Sequence, residues 1–161
     1  MGHVVSKDGI EVHPEKIRFI MEWATPKNVD GVRSFMGLVD YFRRFIRNYS
    51  HIAYPITSLK RKGKKFEWTK ECEVSFEQLK QLLTHAPVLQ IADPNKEFVI
   101  CTDACKRGLG GVLMQDGQVA CYESQKLNEH KQNYLTHDLK LATIIHVLNM
   151  WRHYLLGRGL C

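Results

Sequence analysis

Two spacings of apolar residues divide this chain: up to Pro87 they recur at helical intervals, and beyond it they alternate. Before the helical part, residues 1–12 read as two short strands around Lys7-Asp8-Gly9, where Asp-Gly supplies the positive backbone angles of a tight hairpin. Pro14 suits the first turn of a helix, and Ile17, Ile20, Met21 and Ala24 follow at helical spacing until Pro26 stops the run. Asn28 or Asp30 caps a second helix with Val32, Phe35, Met36, Val39, Phe42 and Ile46 on its apolar face and a break expected at Gly37. A third helical piece is expected over 52–60 despite Pro55. A fourth runs from Thr69 to about residue 84, with Val74, Leu79, Leu82 and Leu83 inward.

Beyond Pro87, residues 97–103, 108–115 and 118–125 read as three strands, the last two joined by Asp116-Gly117, a strong hairpin signal. Thr136 is expected to cap a long helix whose buried stripe is Leu139, Leu141, Ile144, Ile145, Leu148, Trp151 and Leu155, ended by Gly157. The expected class is therefore α+β: small helices, then a three-stranded antiparallel meander and one long helix.

The 161 residues are 44% apolar, enough for a core and too many for disorder. The net charge of +6 favours a polyanionic partner, and its distribution sharpens the point. Residues 1–90 carry 15 Lys and Arg against 10 Asp and Glu, whereas residues 91–161 are nearly balanced at 8 against 7. Five cysteines without a C-x-x-C pair argue against a disulfide framework and a structural zinc site, so Cys101 and Cys105 read as buried thiols in a reducing compartment. With no membrane-length apolar run and no signal peptide, the expectation is an intracellular protein, cytoplasmic or nuclear, that is neither secreted nor membrane-bound.

Two groups of residues carry candidate chemistry. Asp103 stands in an otherwise apolar strand, 98–105, and two readings are open: it holds a divalent metal, or it accepts hydrogen bonds from the turn that follows. Arg43, Arg44, Arg47, Lys60, Arg61, Lys62, Lys64 and Lys65, with Tyr41, Tyr49 and Tyr54 among them, form either a groove for a nucleic-acid backbone or a solvated surface. Glu123 reads as a solvent-side or paired charge. His146 and the other histidines lack metal-ligand spacing.

Ordered motifs along nearly the whole chain resemble the reverse transcriptases of gypsy-type LTR retrotransposons. Residues 34–46, SFMGLVDYFRRFI, resemble the thumb of that family; Phe66-Glu67-Trp68-Thr69, residues 76–80 and Ala86-Pro87-Val88-Leu89 resemble its connection. Asp103-Ala104 with the glycines after it resembles the opening of the RNase H domain, and residues 151–157 the end of that domain's first helix. The resemblance implies a palm edge over 1–13, thumb and connection helices over 14–90, and the start of an RNase H-like unit over 91–161. By this reading the chain is a piece of a Pol polyprotein, beginning at the tail of a larger polymerase and stopping before the later RNase H elements.

The intact family enzyme copies RNA into DNA and degrades the RNA of the hybrid, using Mg²⁺ for the cleavage. Two-metal hydrolysis needs several converging carboxylates. Asp103 matches the first of them, but relatives place a Glu where this chain has Lys140, whose ammonium repels Mg²⁺. The resemblance therefore implies a remnant metal site at Asp103 that binds no metal tightly, no catalysis by this chain alone, and retained binding of an RNA–DNA hybrid or template–primer duplex through phosphates. Further partners it implies are the rest of the Pol polyprotein and a second copy docked on an open sheet edge. The alternative is a domesticated or decayed element, serving as a protein scaffold or without function.

Overall fold

The computed structural model describes residues 2–105, 108–127 and 135–156. The chain opens with a hairpin, β1 (His3–Ser6) against β2 (Gly9–Val12), in which Gly9 takes a φ of +138°. A Cβ at Gly9 would run into the Leu89 carbonyl, and the absence of one lets the segment after the helices approach: Ile10 and Leu89 exchange backbone hydrogen bonds of 2.7 and 2.8 Å.

Four helices follow: α1 (Pro14–Met21), α2 (Val29–Tyr41), α3 (Tyr49–Thr57) and α4 (Lys70–Thr84). Side chains that accept orphan amides set the starts of three of them: His13 Nδ1 takes Glu15 N–H at 3.2 Å ahead of α1. Asn28 Oδ1 takes Gly31 N–H at 2.8 Å, and Thr69 Oγ1 takes Cys72 N–H at 3.3 Å. The predicted face of α2 is buried in full, and the core extends from Val12 to Leu89, with Phe35 against Phe76 at a ring separation of 4.6 Å.

Several local expectations are corrected. The first helix ends at Met21, with Met21 and Ala24 exposed. Gly37 does not break α2, because it faces solvent; the break falls at Phe42, ahead of a short 3-10 turn, Arg43–Phe45. The third helix starts earlier, at Tyr49, and its last residues, Ser58–Lys60, tighten to 3-10. Val74 points outward on α4. Its inward places go to Ser75, which donates to the Ile52 carbonyl, and to Lys80, whose buried ammonium donates to the Met21 and Trp23 carbonyls at the end of α1 and just beyond it. Cys101 is an exposed free thiol, not a buried one.

The second part is a three-stranded antiparallel sheet in the order β3 (Val99–Cys105), β4 (Gly108–Gln115), β5 (Gln118–Lys126). Asp116 and Gly117, with φ of 52° and 77°, make the expected tight turn between β4 and β5. Helix α5 (Thr136–Met150) covers β3 and β4 and leads into the single turn α6 (Arg152–Leu155). Close approach is possible because Gly111 has no side chain: a Cβ there would lie 2.5 Å from Val147 and 3.1 Å from Trp151.

The largest correction falls on α5. Its buried stripe is Leu139, Thr143, Val147 and Trp151, whereas Leu141, Ile144, Ile145 and Leu148 are exposed. Thr136 is the first helical residue and caps nothing; Leu135 holds the cap position without a side-chain bond. The expected stop at Gly157 lies outside the described residues.

Candidate functional site

The two parts of the chain meet where α3 and the turn before it pack on β5. Ser50 N–H donates to Ser124 Oγ at 2.9 Å, and the Arg43 guanidinium donates to Glu123 Oε1 at 2.6 Å and to the Ser124 carbonyl at 3.3 Å. His146 on α5 reaches the same Glu123 oxygen at 3.4 Å. Glu123 is thus a paired charge, buried at the junction, and Arg43 is occupied in holding it. Arg44 points the same way, with Nη2 3.4 Å from the Tyr154 hydroxyl. Beside this pair, Tyr49 donates its hydroxyl proton to Asp40; burial first, then that bond, push its phenol well above the usual range.

Around the other end of α3 the cations are free for solvent. Lys60 ends the 3-10 turn half-buried, and Arg61, Lys62, Lys64 and Lys65 are exposed on the segment leading to α4. The Arg61 guanidinium sits 5.7 Å from the centre of the Tyr54 ring, whose other neighbour is the Lys126 ammonium from β5. Lys64 donates to Ser58 Oγ at 3.1 Å. Among the described residues no carboxylate lies within ion-pair reach of Lys60, Arg61, Lys62, Lys64, Lys65 or the exposed Arg47. Lys126 joins this group only through the fold, because nothing in the local sequence of β5 links it to Tyr54, far earlier in the chain.

Asp103 occupies the opposite end of α3. It lines a cleft of about 150 Å³ with Asn48, Ser50, His51, Gly110 and Ser124. Ser50 and Lys60 are about ten residues apart, so the cleft and the basic segment are separated by roughly 15 Å of helical rise. Ala104 packs with Leu109, Leu139 and Ala142 under α5, so strand alternation turns the neighbouring Asp103 to the other face. Lys140 is exposed on α5, the helix that covers the Ala104 side. Among the described residues no three His, Cys, Asp or Glu side chains converge as metal ligands. One carboxylate with no partner carboxylate does not fit a two-metal centre, and these residues support no step through Mg²⁺. The turn that Asp103 is expected to serve falls at residues 106–107, outside the described residues.

Residues 68–160 match the family described as an RNase H-like domain found in reverse transcriptase. The chain belongs to this family. It is 41% identical over 159 residues to the retrovirus-related Pol polyprotein from transposon 297 of Drosophila melanogaster, covering 98% of this chain and 15% of the relative. Identity is 36% to the Pol polyprotein from transposon gypsy of the same fly, with 98% and 16% covered, and 33% to the transposon Tf2-3 polyprotein of Schizosaccharomyces pombe, with 96% and 12% covered. This RNase H-like chain thus spans about one seventh of the length of these relatives. Two foamy viral protease-reverse transcriptase structures share its fold at 22% identity over 98% of the chain: one in complex with double-stranded DNA at a TM-score of 0.90, covering 28% of that chain, and one in complex with an RNA/DNA hybrid at 0.89, covering 22%. The resemblance to gypsy-type reverse transcriptases and the α+β class are therefore confirmed. Among the described residues no helix is long and apolar enough to cross a membrane.

Proposed function

We propose that this RNase H-like chain grips nucleic-acid duplexes through their phosphates and performs no phosphodiester cleavage of its own. The observation that carries the reading is the basic run from Lys60 to Lys65: cations open to solvent, unpaired with any described carboxylate, at the end of a helix whose Tyr54 ring has the Arg61 guanidinium and the Lys126 ammonium over it. Cations placed this way release counterions on meeting a polyphosphate backbone, which gives affinity with little sequence preference. Two structural neighbours were solved with double-stranded DNA and with an RNA/DNA hybrid, which supports a duplex as the partner.

Arg43 and Arg44 take a different part in this reading. Their side chains hold the helical part to β5 and α6, so they shape the gripping surface while Arg47, Lys60, Arg61, Lys62, Lys64 and Lys65 meet phosphates. The lack of cleavage follows from chemistry at the remnant site. Asp103 is a single carboxylate, and Lys140 stands at the sequence position where the family pattern has a metal-binding Glu, so that ligand is missing.

The test is the salt dependence of RNA–DNA hybrid binding. Log affinity is expected to fall linearly with log salt, and replacing Lys62, Lys64 and Lys65 by Gln should reduce the slope by roughly 2 to 3, about one per phosphate contact removed. An unchanged slope would remove these lysines from the interface. For the second half of the proposal, hybrid cleavage in Mg²⁺ that disappears with Asp103→Asn would overturn it.

A further inference from the structure

A groove of about 380 Å³ runs along the joint between α3 and β5, lined by Tyr54 and Thr57 on one side and by Gln125 and Lys126 on the other. Glu123 lines it too, and is already matched by Arg43 and His146. Lys126 has no carboxylate within ion-pair reach among the described residues. Its ammonium lies instead over the Tyr54 ring, which the Arg61 guanidinium also approaches, at 5.7 Å. Two cations from different parts of the chain thus gather at one aromatic ring, where they repel one another. The electron-rich ring offsets some of that repulsion, and an anion beside both cations removes it.

We propose that Lys126 is a phosphate contact of the duplex interface, held beside Arg61 by Tyr54, so that one strand is gripped by both parts of the chain across their joint. This contact presupposes the phosphate grip proposed above and extends it from the helical part to the sheet. Arg61 belongs to the segment that continues into Lys62, Lys64 and Lys65, so a backbone meeting those lysines passes within reach of a cation gathered at the same ring as Arg61. The groove leaves room beside the ring for the phosphate. A purely structural tie between α3 and β5 would be served by an apolar side chain packed on Tyr54; a lysine brings a charge that the described residues leave unneutralised. Tyr54 acts through the two cations and is a positioning residue.

Binding of an RNA–DNA hybrid to the purified chain over a salt series tests the proposal, with denaturation midpoints measured alongside. Lys126→Gln is expected to lower the slope of log affinity against log salt by about one, and Lys126→Arg to keep the wild-type slope. Tyr54→Leu keeps every charge and fills most of the same space, yet should weaken binding roughly two- to fivefold at fixed salt, because the electron-rich ring is gone. Tyr54→Phe retains the ring and should bind as the wild type does. A Lys126→Gln chain that is less stable but keeps the wild-type slope would make the contact a structural tie and overturn the proposal. So would Tyr54→Leu binding like the wild type, or Tyr54→Phe losing as much affinity as Tyr54→Leu. If Tyr54→Leu fails to fold, the slope of Lys126→Gln decides by itself. A slope that responds to Lys62, Lys64 and Lys65 but not to Lys126 would overturn this contact alone, whereas a wild type without salt-sensitive binding would overturn the phosphate grip as well.

Discussion

From Val12 to Leu89 one apolar core takes in the hairpin and all four helices before the sheet, whereas β3–β5 and α5 share two smaller clusters around Leu113 and Leu109. The helical part buries Phe35, Met36, Phe42 and Phe76 and keeps its charges at the surface apart from Lys80, whose ammonium is buried against two carbonyls. Helix α5 instead buries a narrow stripe against Gly111 and leaves four aliphatic residues on its far side in water. The difference teaches that the first part closes a single core, against which β5 sets Val119 and Tyr122, while the second buries only one side of its helix.

The largest expected difference between the two comes from core truncation. Phe35→Ala removes a fully buried ring that touches Trp23 and Phe76, and should cost about 3–5 kcal/mol by urea denaturation. Leu113→Ala, in the smaller cluster, should cost nearer to about 2 kcal/mol, because a thin layer collapses more readily onto the space left. Equal losses at the two sites would break the comparison.

A smaller effect is expected at Gly111. Gly111→Ala sets a methyl 2.5 Å from Val147, so α5 must lift from β4 at about 1–3 kcal/mol. Hydrogen exchange should show the amides of α5 losing protection while those of α2 keep theirs. Loss of protection in both would mean that the two parts open as one unit.

Arg43→Ala probes the joint between them. It leaves the Glu123 carboxylate buried with only His146 in reach, but Arg43 itself is partly exposed, so solvent screening limits the cost to about 1 kcal/mol. Arg43→Lys should recover only part of this, since an ammonium serves Glu123 and the Ser124 carbonyl less well than a fork.

The smallest effect concerns Lys96 and Asp116, an exposed pair 2.7 Å apart beside the second hairpin turn. The hydrogen bond from Lys96 holds the Asp116 carboxyl below its ordinary value, and the bond to Asp116 raises the Lys96 ammonium. A lowered carboxyl stabilises the fold above its unfolded value and loses that contribution as pH falls through the folded value; a raised ammonium loses its contribution as pH rises through the folded one. Asp116→Asn keeps a side chain that tolerates the left-handed turn, so it should flatten this slight dependence at both extremes without opening the hairpin. Denaturation midpoints across pH would show it.

Legibility from the sequence follows the same division. The face of α2, the caps at Asn28 and Thr69 and both hairpins are readable, because each depends on residues within a turn or two of one another. The stripe of α5 is not, because that helix is apolar on nearly every side and its period does not say which side is covered. What selects Thr143 and Val147 is the flat approach that Gly111 allows, and Thr143 can be buried because its hydroxyl donates to the Leu139 carbonyl at 2.7 Å. The outward place of Val74 escapes the periodicity for a related reason: a buried lysine and serine, each satisfied by distant carbonyls, take the inward positions of α4. At the candidate site, the basic run is plain, but the commitment of Arg43 and Arg44 to residues 80 and 110 positions away emerges only from the fold.

The most direct test of the account is one titration of an RNA–DNA hybrid with the purified chain in Mg²⁺ at two salt concentrations, with the RNA strand afterwards checked for cleavage. Binding that weakens steeply at the higher salt, with the RNA left intact, is the predicted result. Cleaved RNA, or a folded chain that binds at neither salt, would contradict it.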